Sequence, residues 1–318
     1  MLHAVVLLLG VAQLALATLQ YTGVNEAGLE FSGTTCVPTV NSVGQFASEG
    51  HNLFRIPFSW EKLQSSFYGG LDYTYLNQLK QSVSTVTSKG GIALIDCHNY
   101  FRYYGNLVTD GNAFSDLWKK VSPNFNSTNV WYGLMNEPHD MSTEQVLILH
   151  QTAINAIRGL GLTNKIVVSG NGYDSLQDWA TNPWYGTSNT ILNQLKDSAN
   201  NYMFEMHLYF DYDYSGTHAD CSSINFNKIQ TTTDWLRSVS KKAIVTEFGL
   251  GNNANCVNSY GKPFLQFLND HSDVWVGYTY WSAGSCWPND YIYTIDPHNN
   301  VAVSDSRVQL LQSYAANK

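Results

Sequence analysis

Charge is what this sequence has least of. Only 13% of its 318 residues are Asp, Glu, Lys or Arg, roughly half the share of an ordinary soluble domain, and no run of like charge occurs. Its 17 basic residues against 25 acidic ones leave a net charge of −8. That balance excludes a nucleic-acid partner, because neutralising phosphates takes clustered Lys and Arg, and it excludes a polybasic membrane anchor. Cysteine is scarce too. Cys36, Cys97, Cys221, Cys256 and Cys286 are too few for a disulfide scaffold, so the fold must stand on its own core. Their spacings match no zinc motif, and an odd number leaves at least one thiol unpaired within the chain. After residue 17 no apolar run is long enough to span a bilayer. There is no low-complexity tract or Pro-, Ser- or Thr-rich linker, and the composition is too apolar for disorder.

What is present is aromatic: 20 Tyr, 14 Phe and 9 Trp make up 14% of the chain. A surface rich in rings and neutral polar groups suits a neutral, wettable partner. Residues 1–17 form an apolar run ending Ala15-Leu16-Ala17, the pattern of a secretory signal with its cleavage site. A secreted, soluble protein of residues 18–318 is expected, with Asn126-Ser127-Thr128 as one glycosylation sequon.

Short β-branched or aromatic runs recur at 20–25, 53–57, 92–96, 130–136, 166–169, 202–209, 243–247 and 274–281. Helical spacing lies between them, as in 73–89 with Leu76, Leu79, Val83 and Val86, and in 143–159, 225–240 and 260–268. Eight apolar strands alternating with helices predict an α/β fold, a single (β/α)8 barrel with its cleft at the C-terminal strand ends. A doubly wound open sheet is the alternative, but it calls for a Gly-rich phosphate turn after the first strand. The turn here reads Gly23-Val-Asn-Glu-Ala-Gly28, and no cofactor is expected.

In a barrel, polar residues at strand ends face the catalytic mouth. The second strand ends in Arg55-Ile-Pro57, the third in Asp96-Cys97-His98-Asn99-Tyr100 and the fourth in Asn136-Glu137-Pro138. The sixth ends in Met206-His207-Leu208-Tyr209, the seventh in Thr246-Glu247-Phe248-Gly249 and the eighth in Tyr280-Trp281. Glu137 and Glu247 thus flank one mouth. Cleaving an acetal needs one carboxylic acid to protonate the leaving oxygen and a second carboxylate to meet the charge developing at the anomeric carbon. His98 and His207 with Glu247 could form a metal site, but no His-x-His or His-x-x-x-His pair supports one.

With Gly23–Phe31, Phe54-Arg55-Ile-Pro-Phe58, His98–Gly105, Glu137–Met141, Met206–Tyr209 and Asp290-Tyr291-Ile292, these motifs resemble glycoside hydrolase family 5, and within it the fungal endo-β-1,4-glucanase branch, over the whole chain after residue 17. The resemblance implies a retaining enzyme acting on a β-linked polysaccharide, with Glu137 as acid/base and Glu247 as nucleophile. It implies that Arg55 and Tyr209 hold Glu247 ionised, that Asn136 bonds the sugar 2-OH, that His98 binds hydroxyls of the −1 sugar and that Asn99 binds the substrate or supports the site. It further implies that His207 orients Glu137 and that Trp281 floors the site. Glu137 should have its pKa raised by the neighbouring negative charge. Tyr100, Tyr103, Tyr104, Trp179, Trp184, Tyr212, Tyr214 and Trp287 could stack on sugars. An endo-β-1,4-mannanase or another hemicellulase on the same scaffold, or an inactive carbohydrate binder, are the competing readings, and a monomer is expected. The chain departs from the family where Cys97 stands for a common Pro and where Gly284-Ser-Cys-Trp-Pro-Asn289 replaces a Trp-rich run. The family's disulfide falls on Cys221 and Cys256. Because loops after the first and eighth strands adjoin in a closed barrel, a Cys36–Cys286 bridge is expected, leaving Cys97 free.

Overall fold

The eight runs become eight parallel strands: β1 (Tyr21–Glu26), β2 (Leu53–Phe58), β3 (Ile92–Cys97), β4 (Val130–Gly133), β5 (Ile166–Val168), β6 (Tyr202–Leu208), β7 (Ala243–Phe248) and β8 (Trp275–Ala283). Each pairs with the next, and β8 closes on β1 with Tyr21 opposite Gly277. The computed structural model describes residues 18–181, 186–299 and 304–317; the expected signal over 1–17 and Trp184 lie outside them. Glycine lets the seam close. A Cβ on Gly277 would sit 1.6 Å from the carbonyl oxygen of Tyr21, and one on Gly23 equally close to that of Leu53.

Helices cover the barrel: α1 (Val40–Ser48), α2 (Trp60–Leu63), α3 (Tyr73–Thr87), α4 (Gly111–Val121), α5 (Thr143–Gly159), α6 (Phe226–Ser238), α7 (Lys262–Asp270) and α8 (Ser306–Ser313). Most start at a side chain that accepts a first-turn N–H: Thr39, Asp72, Asp110, Ser142, Asn225 and Asp305. On α3 the apolar stripe of Leu76, Leu79, Val83 and Val86 is buried. Strict alternation fails at one crossover. Between β5 and β6 the described residues hold only a 3-10 helix, Asn189–Gln194, because this Gly- and Asn-rich segment lacks a 3.6-residue apolar stripe. The fully buried Trp179 packs there instead, against Phe204 (5.4 Å between ring centres) and Trp235 (6.2 Å).

Inside the barrel, Leu53, Leu94, Trp131, Val167, Met203, Ile244 and Val276 make an apolar floor. One step of two residues along four of those strands gives Arg55, Asp96, Glu205 and Thr246, all fully buried. The two-residue strand period therefore stacks a polar layer directly on the apolar one. Between β6 and β7 the register shifts at Met206/His207, a bulge of the kind that re-aims side chains near active sites, and Glu247 follows Thr246 there. Disulfides join Cys36 to Cys286 and Cys221 to Cys256, with Cα separations of 5.9 and 5.1 Å, and Cys97 is a buried free thiol. No helix among the described residues is long and apolar enough to cross a membrane.

Candidate active site

Above the polar layer the two glutamates converge. An oxygen of Glu137, an oxygen of Glu247 and a ring nitrogen of His207 lie within 4.8 Å of one another. Glu137 sits just past β4 with φ +43°, a left-handed conformation uncommon outside glycine. Its N–H donates to Asp174 Oδ2 at 3.0 Å, which pins that strained turn. Glu137 Oε1 is 2.6 Å from His207 Nδ1. Glu247 Oε1 accepts from Arg55 Nη1 at 2.6 Å and Oε2 from Tyr209 Oη at 2.7 Å.

Arg55 organises the layer beneath. Its fork also donates to Asn25 Oδ1 (2.9 Å) and Asn136 Oδ1 (2.7 Å), and it pairs with Asp96 Oδ2 at 3.1 Å. Burial works against this cation, but Asp96, Glu247 and Glu205 outweigh it and raise the guanidinium pKa further. His98 lies between Asp96 (Nδ1 to Oδ2, 2.9 Å) and the Asn136 amide (3.4 Å). It lies parallel to Trp281, with ring centres 5.5 Å apart and planes at 9°, and Trp281 Nε1 donates to Tyr291 Oη at 2.8 Å.

Burial raises Glu137 to about 7, against the pull of His98, Arg55 and His139. The expected cause, a neighbouring negative charge, is thus corrected: desolvation leads, and Asp96 adds only a smaller push. Burial drives His207 down to about 3, so its imidazole is neutral, and lifts Glu205 to about 8.

The open part of the cleft, about 560 Å³ beside Glu137, is walled by Asn171, Tyr173, Gln177, Asp178, Tyr209 and Tyr214. Tyr104, Tyr212 and Tyr214 are exposed, and Trp287 stacks on Tyr291 at 3.8 Å. Other expectations give way. The side chain of Asn99 turns from the glutamates to accept from Trp60 N–H and to donate to Glu61 and to the Arg102 carbonyl; it braces the start of α2. Trp179 is core, and Tyr103 packs on Trp60 and Phe67. Asn25, Asp174 and Glu205 belong to the site without having been singled out, and Asp96 and Thr246 were named only as strand-end residues, without a role. Asp96 and Glu205 each lie two residues before a predicted histidine, a spacing that could have flagged them; Asp174 carries no such signal.

Glu137, His207 and Glu247 have the spacing of a metal site, but each already has a partner, and Arg55 at 2.6 Å from Glu247 repels a cation. The second such group, Asp211, Asp213 and His218, is held by the Asp211 carboxylate accepting from the backbone of Gly216, Thr217 and His218.

Comparison with known proteins agrees with this geometry. Residues 18–284 match the family model described as cellulase (glycosyl hydrolase family 5). The endo-β-1,4-glucanase B of Emericella nidulans is 36% identical over 307 residues, covering 92% of this chain and 91% of its own. A triple mutant of an endo-β-1,4-glucanase from Xanthomonas axonopodis pv. citri superposes with a TM-score of 0.89 at 34% identity, over 94% of this chain and 100% of that one. XacCel5A in complex with cellopentaose gives the same TM-score and identity over 93% of this chain and 99% of that one. By sequence and by fold, the chain belongs to glycosyl hydrolase family 5, the cellulase family.

Proposed function

We propose that this chain is a secreted, retaining endo-β-1,4-glucanase that cleaves internal bonds of cellulose or β-glucan. One observation carries the reading: the carboxyl oxygens of Glu137 and Glu247 approach within 4.8 Å. Double displacement calls for carboxyl groups about 5–5.5 Å apart, whereas single displacement leaves about 6.5–9.5 Å for a water. The relatives' names, and the cellopentaose held by one of them, support a β-1,4-glucan as substrate.

In the first step Glu247 attacks the anomeric carbon and Glu137 gives its proton to the departing glycosidic oxygen. A carbon–oxygen bond to Glu247 forms as the glycosidic bond breaks. In the second step Glu137, now a carboxylate, takes a proton from water, whose oxygen displaces Glu247 with net retention. Arg55 and Tyr209 donate to Glu247 and orient it, while His207 fixes the Glu137 carboxyl. The Asn136 amide and His98 face the sugar hydroxyls, and Trp281 lies beneath the ring. Residues 1–17 serve as a secretory signal, residues 18–318 act as one monomeric catalytic domain, and the two disulfides suit an oxidising compartment.

The test is release of reducing ends from carboxymethyl cellulose, barley β-glucan, galactomannan and xyloglucan, with Glu137→Ala and Glu247→Ala as controls. Activity is expected on the first two, lost by orders of magnitude in either variant. Azide should rescue Glu247→Ala with inverted anomeric configuration. Activity on galactomannan alone would replace the glucanase reading, and no activity on any polymer would overturn it.

A further inference from the structure

Behind Glu137 runs a chain of hydrogen bonds that ends in a second, fully buried acid. Glu137 Oε1 is 2.6 Å from His207 Nδ1, His207 Nε2 is 3.0 Å from Thr246 Oγ1, and Thr246 Oγ1 is 2.8 Å from Glu205 Oε2. Glu205 has no exposure to solvent, and its other oxygen has no hydrogen-bond partner among the described residues. Each link holds one proton, and with a neutral imidazole only two orientations fill all three. In the first, Glu137 donates to Nδ1, Nε2 donates to Thr246 and Thr246 donates to Glu205. In the second, Glu205 donates to Thr246, Thr246 donates to Nε2 and Nδ1 donates to Glu137. Both orientations contain three protons. They interconvert when each proton crosses its own hydrogen bond, so Glu137 becomes a carboxylate as Glu205 becomes a carboxylic acid, with no proton gained or lost.

We infer that Glu205 shares one proton with Glu137 through Thr246 and His207, and so sets which form of Glu137 the substrate meets. The inference rests on Glu137 being the acid/base. The first orientation offers it as an acid to the leaving oxygen; the second offers it as a base to water. Glu205 touches no substrate and is a positioning residue acting through two others. The surroundings suit such a shared proton. Burial holds His207 neutral and favours the protonated form of Glu205. Other charged or titratable groups facing the chain are Arg55 from β2, with Nε 3.8 Å from Glu205, Asp96 and His98 at the end of β3, Tyr100 beyond them, and Tyr209 just past β6. His139 lies beyond Glu137, Asp174 Oδ2 is 4.0 Å from His207 Nε2, and Glu247 Oε2 is 3.7 Å from Nδ1.

The pH profile of kcat/KM tests this in wild type, Glu205→Gln, Thr246→Val and Thr246→Ser. Glu205→Gln removes the carboxylate that holds the proton on Glu137 in the first orientation. Thr246→Val takes away the acceptor for Nε2–H and favours the tautomer in which Nδ1 donates to an ionised Glu137. Both should move the alkaline limb to lower pH by about one unit, while Thr246→Ser keeps the wild-type limb. A lower kcat with the limb unmoved in both Glu205→Gln and Thr246→Val would reduce these residues to packing and overturn the inference. Should Glu205→Gln fail to fold, the Val and Ser pair at 246 decides alone. Glu137→Gln in the same series separates the two readings: if it stays active, Glu137 is not the acid; if it is dead and the limbs do not move, only the shared proton is lost.

Discussion

A single guanidinium, that of Arg55, faces Asp96, Glu247 and Glu205 and is itself fully buried in the barrel. Such an arrangement is not favourable for its own sake, since desolvating the ions costs much of what their attraction returns. Removing the cation is another matter, because it strands buried carboxylates. Arg55→Met is therefore expected to lower stability by about 3–5 kcal/mol and kcat/KM by at least about 100-fold. Arg55→Lys keeps the charge and should recover stability. It should not recover activity, because an ammonium lacks the planar fork that reaches Asn25, Asn136 and Glu247 together. Urea melts with steady-state kinetics check both, and an active Arg55→Lys would show that charge alone suffices. Arg55, Glu137 and Glu247 were legible in the sequence because each interrupts or ends an apolar run that must be buried. Asp174 was not, since it reaches Glu137 from a loop whose path no periodicity describes.

Among the elements, strands read most clearly: 53–57, 92–96 and 243–247 are mostly apolar runs too short for helices, each carrying an ionisable residue, Arg55, Asp96 or Glu247. The β5–β6 crossover read least clearly, because what replaces a helix there is the packing of one tryptophan, Trp179, and side-chain hydrogen bonds such as Asn189 Oδ1 accepting from Asn171 N–H. The loop after β6 depends on one residue in the same way. Asp211 is buried, and its oxygens accept from the backbone N–H of Gly216, Thr217 and His218 and from Ser215 Oγ. Its neighbours Tyr212 and Tyr214 are exposed, and Tyr214 walls the cleft. Asp211→Ala leaves those donors unpaired, at a cost of about 1–3 kcal/mol. It should raise KM for polymeric substrate several-fold while kcat changes little, since Glu137 follows β4 and Glu247 stands on β7. A fall in kcat at constant KM would mean that the loop supports the chemistry instead.

For the molecule as a whole, buried titratable groups tie stability to pH from two sides. His51, His150 and His207 are pushed down by burial to about 4, 3 and 3. Unfolded, they would titrate near about 6.5, so their contribution is present above that value and is lost as pH falls. Burial raises Glu26 to about 8 and Glu30 to about 7, against an unfolded value near about 4.3. Each of these keeps a proton that the unfolded chain has released, so its contribution is complete below about pH 4 and drains away as pH climbs to its folded value. Between about pH 4 and 6.5 these histidines and acids pull in opposite directions; above that these three histidines no longer act, and Tm should fall steadily from pH 6.5 to 8. Glu26 is the place to test this, since it lies at the end of β1 away from the glutamate pair, with Oε1 accepting from Ser42 Oγ at 2.9 Å and Oε2 without a partner among the described residues. Glu26→Gln keeps the Ser42 bond but has no proton to lose. Its Tm should match wild type at pH 4 and exceed it at pH 8, and an equal decline in both proteins would place the alkaline loss elsewhere.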